Sequence, residues 1–236
     1  MLIYVLRTRP DVAYAVNRLA TRASAPTVKD HDSLRQVANN MYTTSHLELV
    51  HNSQDSTQRS AVVNLLAYAD AAFLTHRDSK SHSGINFTLG RNTGTFHARS
   101  QKQKMVTLSS TEAEVYAAIE CTKDVILFRK ILKELGHPQE EPTTLYMDNK
   151  SAIILGQDMT GEHKKARHFM ARLRFLIEQV QNCVINLEHM DGTTLPADVL
   201  SKPKPRPGHE ANTLDLMGPQ RPGAEDRLKA IQSGKS

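Results

Sequence analysis

The chain has 236 residues, with 30 Lys and Arg against 25 Asp and Glu, 39% hydrophobic residues, 5% aromatics, no Trp and two Cys. That length suits one or two domains with a real core, and the composition excludes wholesale disorder, a collagen-like fibre and a disulfide-stapled mini-protein. A net charge of +5 tilts the protein towards a polyanionic partner, but where the cations lie carries more information than their sum.

In chain order, the first apolar run, from Met1 to Leu6, is interrupted by Arg7 and Arg9 before a signal-peptide core can form, and no later run reaches the ~18 apolar residues of a membrane span. Cys121 and Cys183 each lie in an apolar stretch and read as reduced thiols. The expectation is a soluble intracellular protein, cytoplasmic and without a membrane partner. Pro10 and Asp11 open a helix whose apolar residues Val12, Val16 and Leu19 recur at spacings of four and three. A second helix around Ser33 to Tyr42 and a short alternating strand from His46 to His51 follow. Polar residues 52–60 read as a linker, so residues 1–55 form a first segment too small to be a secure domain alone.

Residues 61–73 are apolar on both faces, the pattern of a central strand. Further strands are expected within 84–89 and 94–108, a long helix over 110–135 ending at Gly136 and Pro138, and a strand over Thr143–Met147 followed by a short helix from Lys150. A basic helix over 165–181, a strand over 184–188 and a short helix near Pro196 complete the order. Three strands, helix, strand, helices, strand, helix indicate a mixed α/β domain over residues 56–203. Residues 204–236 open a proline- and glycine-rich stretch, with five of the ten prolines and four of the eleven glycines from Pro203 onward and no sustained apolar period, and read as a disordered tail.

Four carboxylates stand in unusual places. Asp70 ends the apolar central strand, where an acid is costly unless it reaches water or meets a charged or hydrogen-bonding partner. In the long helix, positions 118, 121, 125, 128, 132 and 135 are Ala, Cys, Val, Phe, Leu and Leu, and extending this stripe back by four residues lands on Glu114. Glu112 has a sufficient structural role, since Ser109-x-x-Glu112 has capping-box spacing; Glu114 has none. Asp148 follows a strand at the carboxyl end where α/β proteins place their chemistry, and equally suits a helix N-cap. Asp198 lies in the first turn of the helix near Pro196, where the helix dipole alone would favour an acid. If the four converge, each like-charged pair ~4 Å apart repels by roughly 4 kcal/mol at an effective dielectric of 20. Divalent cations relieve this, and an all-oxygen ligand set selects Mg²⁺, with Mn²⁺ as substitute, over zinc. Two such ions ~3.5 to 4 Å apart would form a phosphodiester-cleaving centre.

At these residues the chain resembles the RNase H domain of copia-type LTR retrotransposon Pol polyproteins, joined to the C-terminal end of the preceding reverse transcriptase. The matching strings include residues 8–18 (TRPDVAYAVNR), 68–72 (YADAA), 80–84 (KSHSG), 102–104 (KQK), 108–114 (LSSTEAE), 145–153 (LYMDNKSAI), Arg167-His168 and 197–203 (ADVLSKP). The resemblance implies an RNase H-like fold, a five-stranded mixed sheet with flanking helices, and hydrolysis of the RNA strand of an RNA–DNA hybrid. It further implies that Asp70, Glu114, Asp148 and Asp198 are the catalytic residues and ligands of two Mg²⁺ ions, and that the partners are the hybrid and the remainder of a Pol polyprotein, in the cytoplasm, a virus-like particle or the nucleus. Residues 1–55 would be the end of the polymerase, without its Tyr-x-Asp-Asp hairpin, so no polymerase activity is expected. The chain departs from the family in having Phe73 and His97 where relatives carry Trp, Met170 where they carry Asp, and no histidine identified in the loop before Asp198.

For substrate contacts, Lys164 to Ile177 hold five Lys or Arg and no acid. With Phe169, Leu173, Leu176 and Val180 inward, Arg167, His168 and Arg172 face outward for phosphate contact, joined by Lys102 and Lys104; a plain solvated helix face is the alternative. Ser110 and Asn149, beside two candidate ligands, are candidates for sugar 2′-OH contacts. The competing function is a catalytically inactive or domesticated retroelement fragment that binds nucleic acid or protein.

Overall fold

A computed structural model of the chain describes residues 2–51, 63–158 and 169–220. The linker at 52–60, helix residues 165–168 and the end of the tail at 221–236 lie outside the described residues. The N-terminal part comprises α1 (Leu2–Val5), a 3₁₀ turn (Pro10–Val12), α2 (Ala13–Ala20) and α3 (Val28–Thr43). There follow β1 (Leu65–Ala72), β2 (His82–Leu89), β3 (His97–Lys102), α4 (Ser110–Glu134), β4 (Thr143–Met147), α5 (Lys150–Gln157), α6 (Met170–Gln181), β5 (Ile185–His189), α7 (Asp198–Ser201) and α8 (Arg206–Met217).

The five strands form one mixed sheet in the order β3-β2-β1-β4-β5. β1 pairs antiparallel with β2 and parallel with β4, which makes it central and accounts for its two apolar faces. Residues alternate between the faces. Ala67, Ala69, Ile85, Phe87, Leu145 and Met147 pack against the α4 residues Val115, Ala118, Cys121 and Val125, and against Leu173 and Leu176 of α6. α4 starts where Ser109 Oγ accepts a hydrogen bond from the Glu112 N–H at 3.1 Å while Glu112 Oε2 accepts from the Leu108 N–H at 2.7 Å. It stops at Gly136, whose φ of 84° suits glycine.

The other face of the sheet carries Asp70. α7 lies across it so closely that a Cβ on Gly84 would come within 2.3 Å of the Ala197 carbonyl oxygen, so a bare glycine in β2 lets Asp198 approach β1. Val199 and Leu200 of α7, Ala13 of α2 and Leu216 of α8 share one small core. The N-terminal helices are therefore packed onto the sheet.

Two expectations are corrected. The alternating run at 46–51 is no strand: Val50 instead donates its N–H to the Met217 carbonyl at 2.8 Å and accepts from the Gly94 N–H at 2.7 Å, bridging the end of α8 and a distant loop. Nor is the whole of 204–236 a tail, because residues 206–217 form α8 with Leu216 and Met217 fully buried. Its anchoring is largely polar and so leaves little apolar period to read. Asn212, also fully buried, donates to the Leu195 carbonyl at 3.3 Å and accepts from Lys204 Nζ at 2.5 Å.

Docking of α8 predicts that Leu216→Ala lowers the stability of the whole domain by about 3 kcal/mol, the usual cost of truncating a fully buried leucine. Urea unfolding followed by circular dichroism measures this, and an unchanged midpoint would mean that the helix is not part of the fold.

Candidate active site

Asp70 stands near the end of β1, Glu114 one turn into α4 and Asp148 just beyond β4. Each offers a carboxylate oxygen, and these oxygens lie within 4.8 Å of one another. The convergence follows from local folding. β1 and β4 run parallel, with Tyr68 opposite Tyr146, so both strands deliver an acid at the same sheet edge. The stripe on α4 presses its first turns against β1, where Glu114 Oε1 accepts the Ala71 N–H at 3.2 Å. Glu114 Oε2 is buried without a hydrogen-bond partner.

Asp198, the fourth expected acid, is buried beside this trio, but its carboxylate is turned to lysines. Lys202 Nζ pairs with Asp198 Oδ1, Lys204 Nζ lies 2.5 Å from Oδ2, and Lys202 also reaches Asp70 Oδ2 at 3.8 Å. The Ser201 hydroxyl donates to Asp70 Oδ2. Among the described residues, the trio of Asp70, Glu114 and Asp148 is thus the set arranged to hold a metal ion, with Asp198 adjacent and ion-paired.

Burial dominates the electrostatics. It pushes the Asp70 carboxyl from 3.8 up to about 6; Asp198 and Asp148 add to the rise, and Lys202 and Ser201 oppose it. Glu114 is held well above the usual carboxylate range by burial and then by Asp70 and Asp148. Asp148 is also raised, by burial and the nearby Asp198. Such a set resists full ionisation and gains from a divalent cation. An all-oxygen donor set with one buried, unpartnered carboxylate oxygen fits a hard ion of the Mg²⁺ or Mn²⁺ type.

The candidate substrate residues are dispersed. Ser110 is exposed at the start of α4, one turn before Glu114. Asn149 caps α5, its Oδ1 accepting the Ala152 N–H at 3.0 Å, which engages its carbonyl and leaves its amide N–H groups. Lys102 pairs with Asp78 at 2.6 Å, Lys104 is exposed, and Arg172 lies on the outer side of α6. Arg167 and His168 fall outside the described residues.

Four contributors escaped the sequence reading. Gln103 is buried and donates through Nε2 to Ser83 Oγ and to the Ala113 carbonyl, both at 2.9 Å, tying β2 to α4 beside Glu114. Its place between Lys102 and Lys104 drew attention only to the cations. Ser201 and Lys202 lie one turn after Asp198, within helical reach. His189, at the end of β5, is close enough to Asp148 to lower its pKa, so a histidine does stand before Asp198 near the site.

No protein-family model matches the chain. Among curated proteins, it is 30% identical over 206 residues to the retrovirus-related Pol polyprotein from transposon RE1 of Arabidopsis thaliana, an alignment covering 87% of this chain and 13% of that protein. It is also 30% identical over 200 residues to the one from transposon TNT 1-94 of Nicotiana tabacum, covering 84% and 14%. The chain is a homologue of copia-type retrovirus-related Pol polyproteins. It spans only 13% to 14% of the length of these Pol relatives. The mixed sheet in the order β3-β2-β1-β4-β5, with helices on both faces, is the RNase H-like α/β fold that the copia-type resemblance implies. Solved structures that align with it include LC11-RNase H1 in complex with an RNA/DNA hybrid, at 16% identity and a TM-score of 0.41, over 54% of this chain and 86% of that one.

The raised carboxyls set the direction of a stability test. A folded-state pKa above the unfolded value gives stability that is complete at low pH and is lost as pH rises through the folded value. For Asp70 that window runs from about 4 to about 6. Without divalent ions, the protein should therefore lose stability across this range. Glu114→Gln should recover about 1 to 3 kcal/mol at pH 8, the cost of a buried unsatisfied charge, and nothing at pH 3.5. Thermal melts in EDTA across pH check both, and an equal effect at the two pH values would refute the electrostatic origin.

Proposed function

We infer that the chain is the RNase H part of a retrotransposon reverse transcriptase, hydrolysing the RNA strand of RNA–DNA hybrids as an endonuclease. The observation that carries this reading is the meeting of Asp70, Glu114 and Asp148 within 4.8 Å at one edge of the sheet. The homology to Pol polyproteins supports it. On this reading residues 56–203 are the catalytic unit, residues 1–55 the end of the polymerase, and the site of action is intracellular: cytoplasm, virus-like particle or nucleus. Among the described residues, no helix is long and apolar enough to cross a membrane.

Asp70, Glu114 and Asp148 would hold one Mg²⁺, and Asp70 with Asp198 a second. When bound, the ions supply an activated water and charge stabilisation for the leaving 3′ oxygen. The protein's own residues do the rest. Asp70 would serve both positions, because β1 brings it near Glu114 and Asp148 and also near Asp198. Ser201 fixes the Asp70 carboxylate by its hydroxyl bond. Gln103 holds α4 against β2, so that Glu114 keeps its reach. His189, at the end of β5, lies near enough to Asp148 to favour its ionised form. For Asp198 to serve as a ligand, Lys202 must swing out, which its 41% side-chain exposure allows. Ser110 and the Asn149 amide would meet ribose hydroxyls, and Lys102, Lys104, Arg167, His168 and Arg172 would meet phosphates.

A second reading, a non-catalytic nucleic-acid-binding fragment, is favoured by one observation: Lys202 and Lys204 already neutralise Asp198. Two measurements separate the readings. On the first, purified protein cuts the RNA of a labelled hybrid with Mg²⁺, and Asp148→Asn reduces cutting at least about a hundredfold; activity surviving that substitution would sink the mechanism. The first reading also predicts that Mn²⁺ stabilises the wild-type protein by about 2.7 kcal/mol at one hundred times its dissociation constant, and the Asp148→Asn variant by much less.

A further inference from the structure

Away from the carboxylates, a cleft of about 350 Å³ opens between the N-terminal helices and the sheet. Arg18 and Arg22, from α2 and its C-terminal extension, line one side, and Arg77 and Lys102 line the other. The two acids in its wall are engaged. Asp30 accepts from the Thr27 N–H, the Thr27 hydroxyl and Arg22, while Asp78 pairs with Lys102 and Lys80. Four cations against two acids leave a surplus of two positive charges, and arginines bring five N–H donors each. Arg22 commits one of these to Asp30. Arg77 is exposed, with no hydrogen-bond or ion-pair partner among the described residues.

The cleft is also braced. Arg18 Nη1 donates to the Thr75 carbonyl at 3.0 Å and to His76 Nδ1 at 3.1 Å. Arginine can only donate, so His76 carries its proton on Nε2 and donates to His82 Nδ1 at 3.0 Å, and His82 Nε2 donates to Ser100 Oγ at 2.8 Å. This buried polar chain fixes α2 to β2 and β3. Burial, with Arg18 and Lys102 next, lowers His76 to about 4, so the ring is neutral at neutral pH and the positive potential comes from the permanently charged groups.

Position relates the cleft to the carboxylate site. Asp70 pairs with Gly84 and Gly84 with Ser100, two residues before Lys102. With strands about 4.8 Å apart and ~3.4 Å per residue, Lys102 lies about 12 Å from Asp70, a few nucleotides along a duplex that carries one phosphate per ~3.4 Å of each strand.

We propose that this cleft is a phosphate-binding site built jointly by the N-terminal segment and the sheet, and that it grips the backbone of a nucleic-acid duplex lying across the carboxylate site. The N-terminal helices are then part of the substrate-binding surface. The duplex as ligand rests on the hydrolase reading, but the grip itself does not require cutting.

The test uses the full chain carrying Asp148→Asn, with a fluorescein-labelled RNA–DNA hybrid and anisotropy read from 50 to 200 mM salt. Adding Arg22→Gln and Arg77→Gln should weaken binding roughly tenfold and lower the salt slope by about two. Adding Lys130→Gln and Lys133→Gln, exposed on α4, removes the same net charge and should change much less. Arg77→Gln alone, which breaks no hydrogen bond or ion pair among the described residues, should give about half the change in slope. In NMR titrations, the hybrid should raise the His76 pKa from about 4, because bound phosphate offsets the cations beside it. Equal losses in the two double variants, or a His76 response to inorganic phosphate but not to the hybrid, would overturn the proposal. If the protein without Asp148→Asn fails to cut while the variants still differ in this way, the catalytic reading falls and the cleft stands.

Discussion

The constraint on which this molecule turns is the crowding of carboxylates at the ends of the parallel strands β1 and β4. Asp70 and Glu114 are each 5% exposed or less, and with Asp148 they bring oxygens within 4.8 Å. Water cannot screen these charges, and each carboxylate raises the cost of ionising its neighbour. A fold that tolerates this must offset it elsewhere, and the rest of the structure can be understood in those terms. The large core between the sheet and α4 and α6 fixes Glu114, while Gly84 admits α7 and with it the two residues, Ser201 and Lys202, that answer Asp70 directly.

Much of this was legible in the chain, for reasons tied to particular residues. β1 could be placed because a strand buried on both faces is apolar throughout, and Asp70 stood out against that background. Glu114 was visible because α4 is long enough for its stripe to define an inward face, and Glu112 could be set aside because Ser109 explained it. The Ser109 cap bond is present, and Glu112 reaches back to the Leu108 N–H. What was not legible was held by polar contacts. α8 rests on Asn212 and Lys204 as much as on Leu216, and the 46–51 run met a loop and the end of α8 through main-chain bonds where no neighbouring strand was available. Gln103 does its work through two amide N–H groups that no periodicity reveals.

The N-terminal segment shows the same limit from another side. Its length marks it as too small to be a secure domain alone and gives no reason for it to stay attached. Its attachment comes from a small apolar cluster around Ala13 and Leu200, from the bonded chain running from Arg18 through His76 and His82 to Ser100, and from main-chain bonds such as those of Val50. The apolar cluster reaches α7, which carries Asp198, and the bonded chain reaches β2 and β3, of which β2 pairs with β1 beside Asp70. The segment therefore buttresses the face of the sheet on which the carboxylates stand, whatever its ancestral role.

Lys202 makes this electrostatic arrangement a choice between two states. Its ammonium group contacts Asp198 and approaches Asp70, so it occupies part of the negative potential that a second divalent ion would use. On the proposed two-ion reading the two compete, because an ion held by Asp70 and Asp198 would meet the charge of this ammonium. Lys204, only 13% exposed and tied to Asn212, is fixed by the docking of α8, whereas Lys202 is 41% exposed and its chain is free to move into solvent. The fixed lysine sets how strongly Asp198 is neutralised in every state, and the mobile one sets whether that acid is available to a metal. The neutralisation of Asp198 thus depends on how firmly the C-terminal helix holds Lys204, a link between a region of little sequence pattern and the carboxylate site.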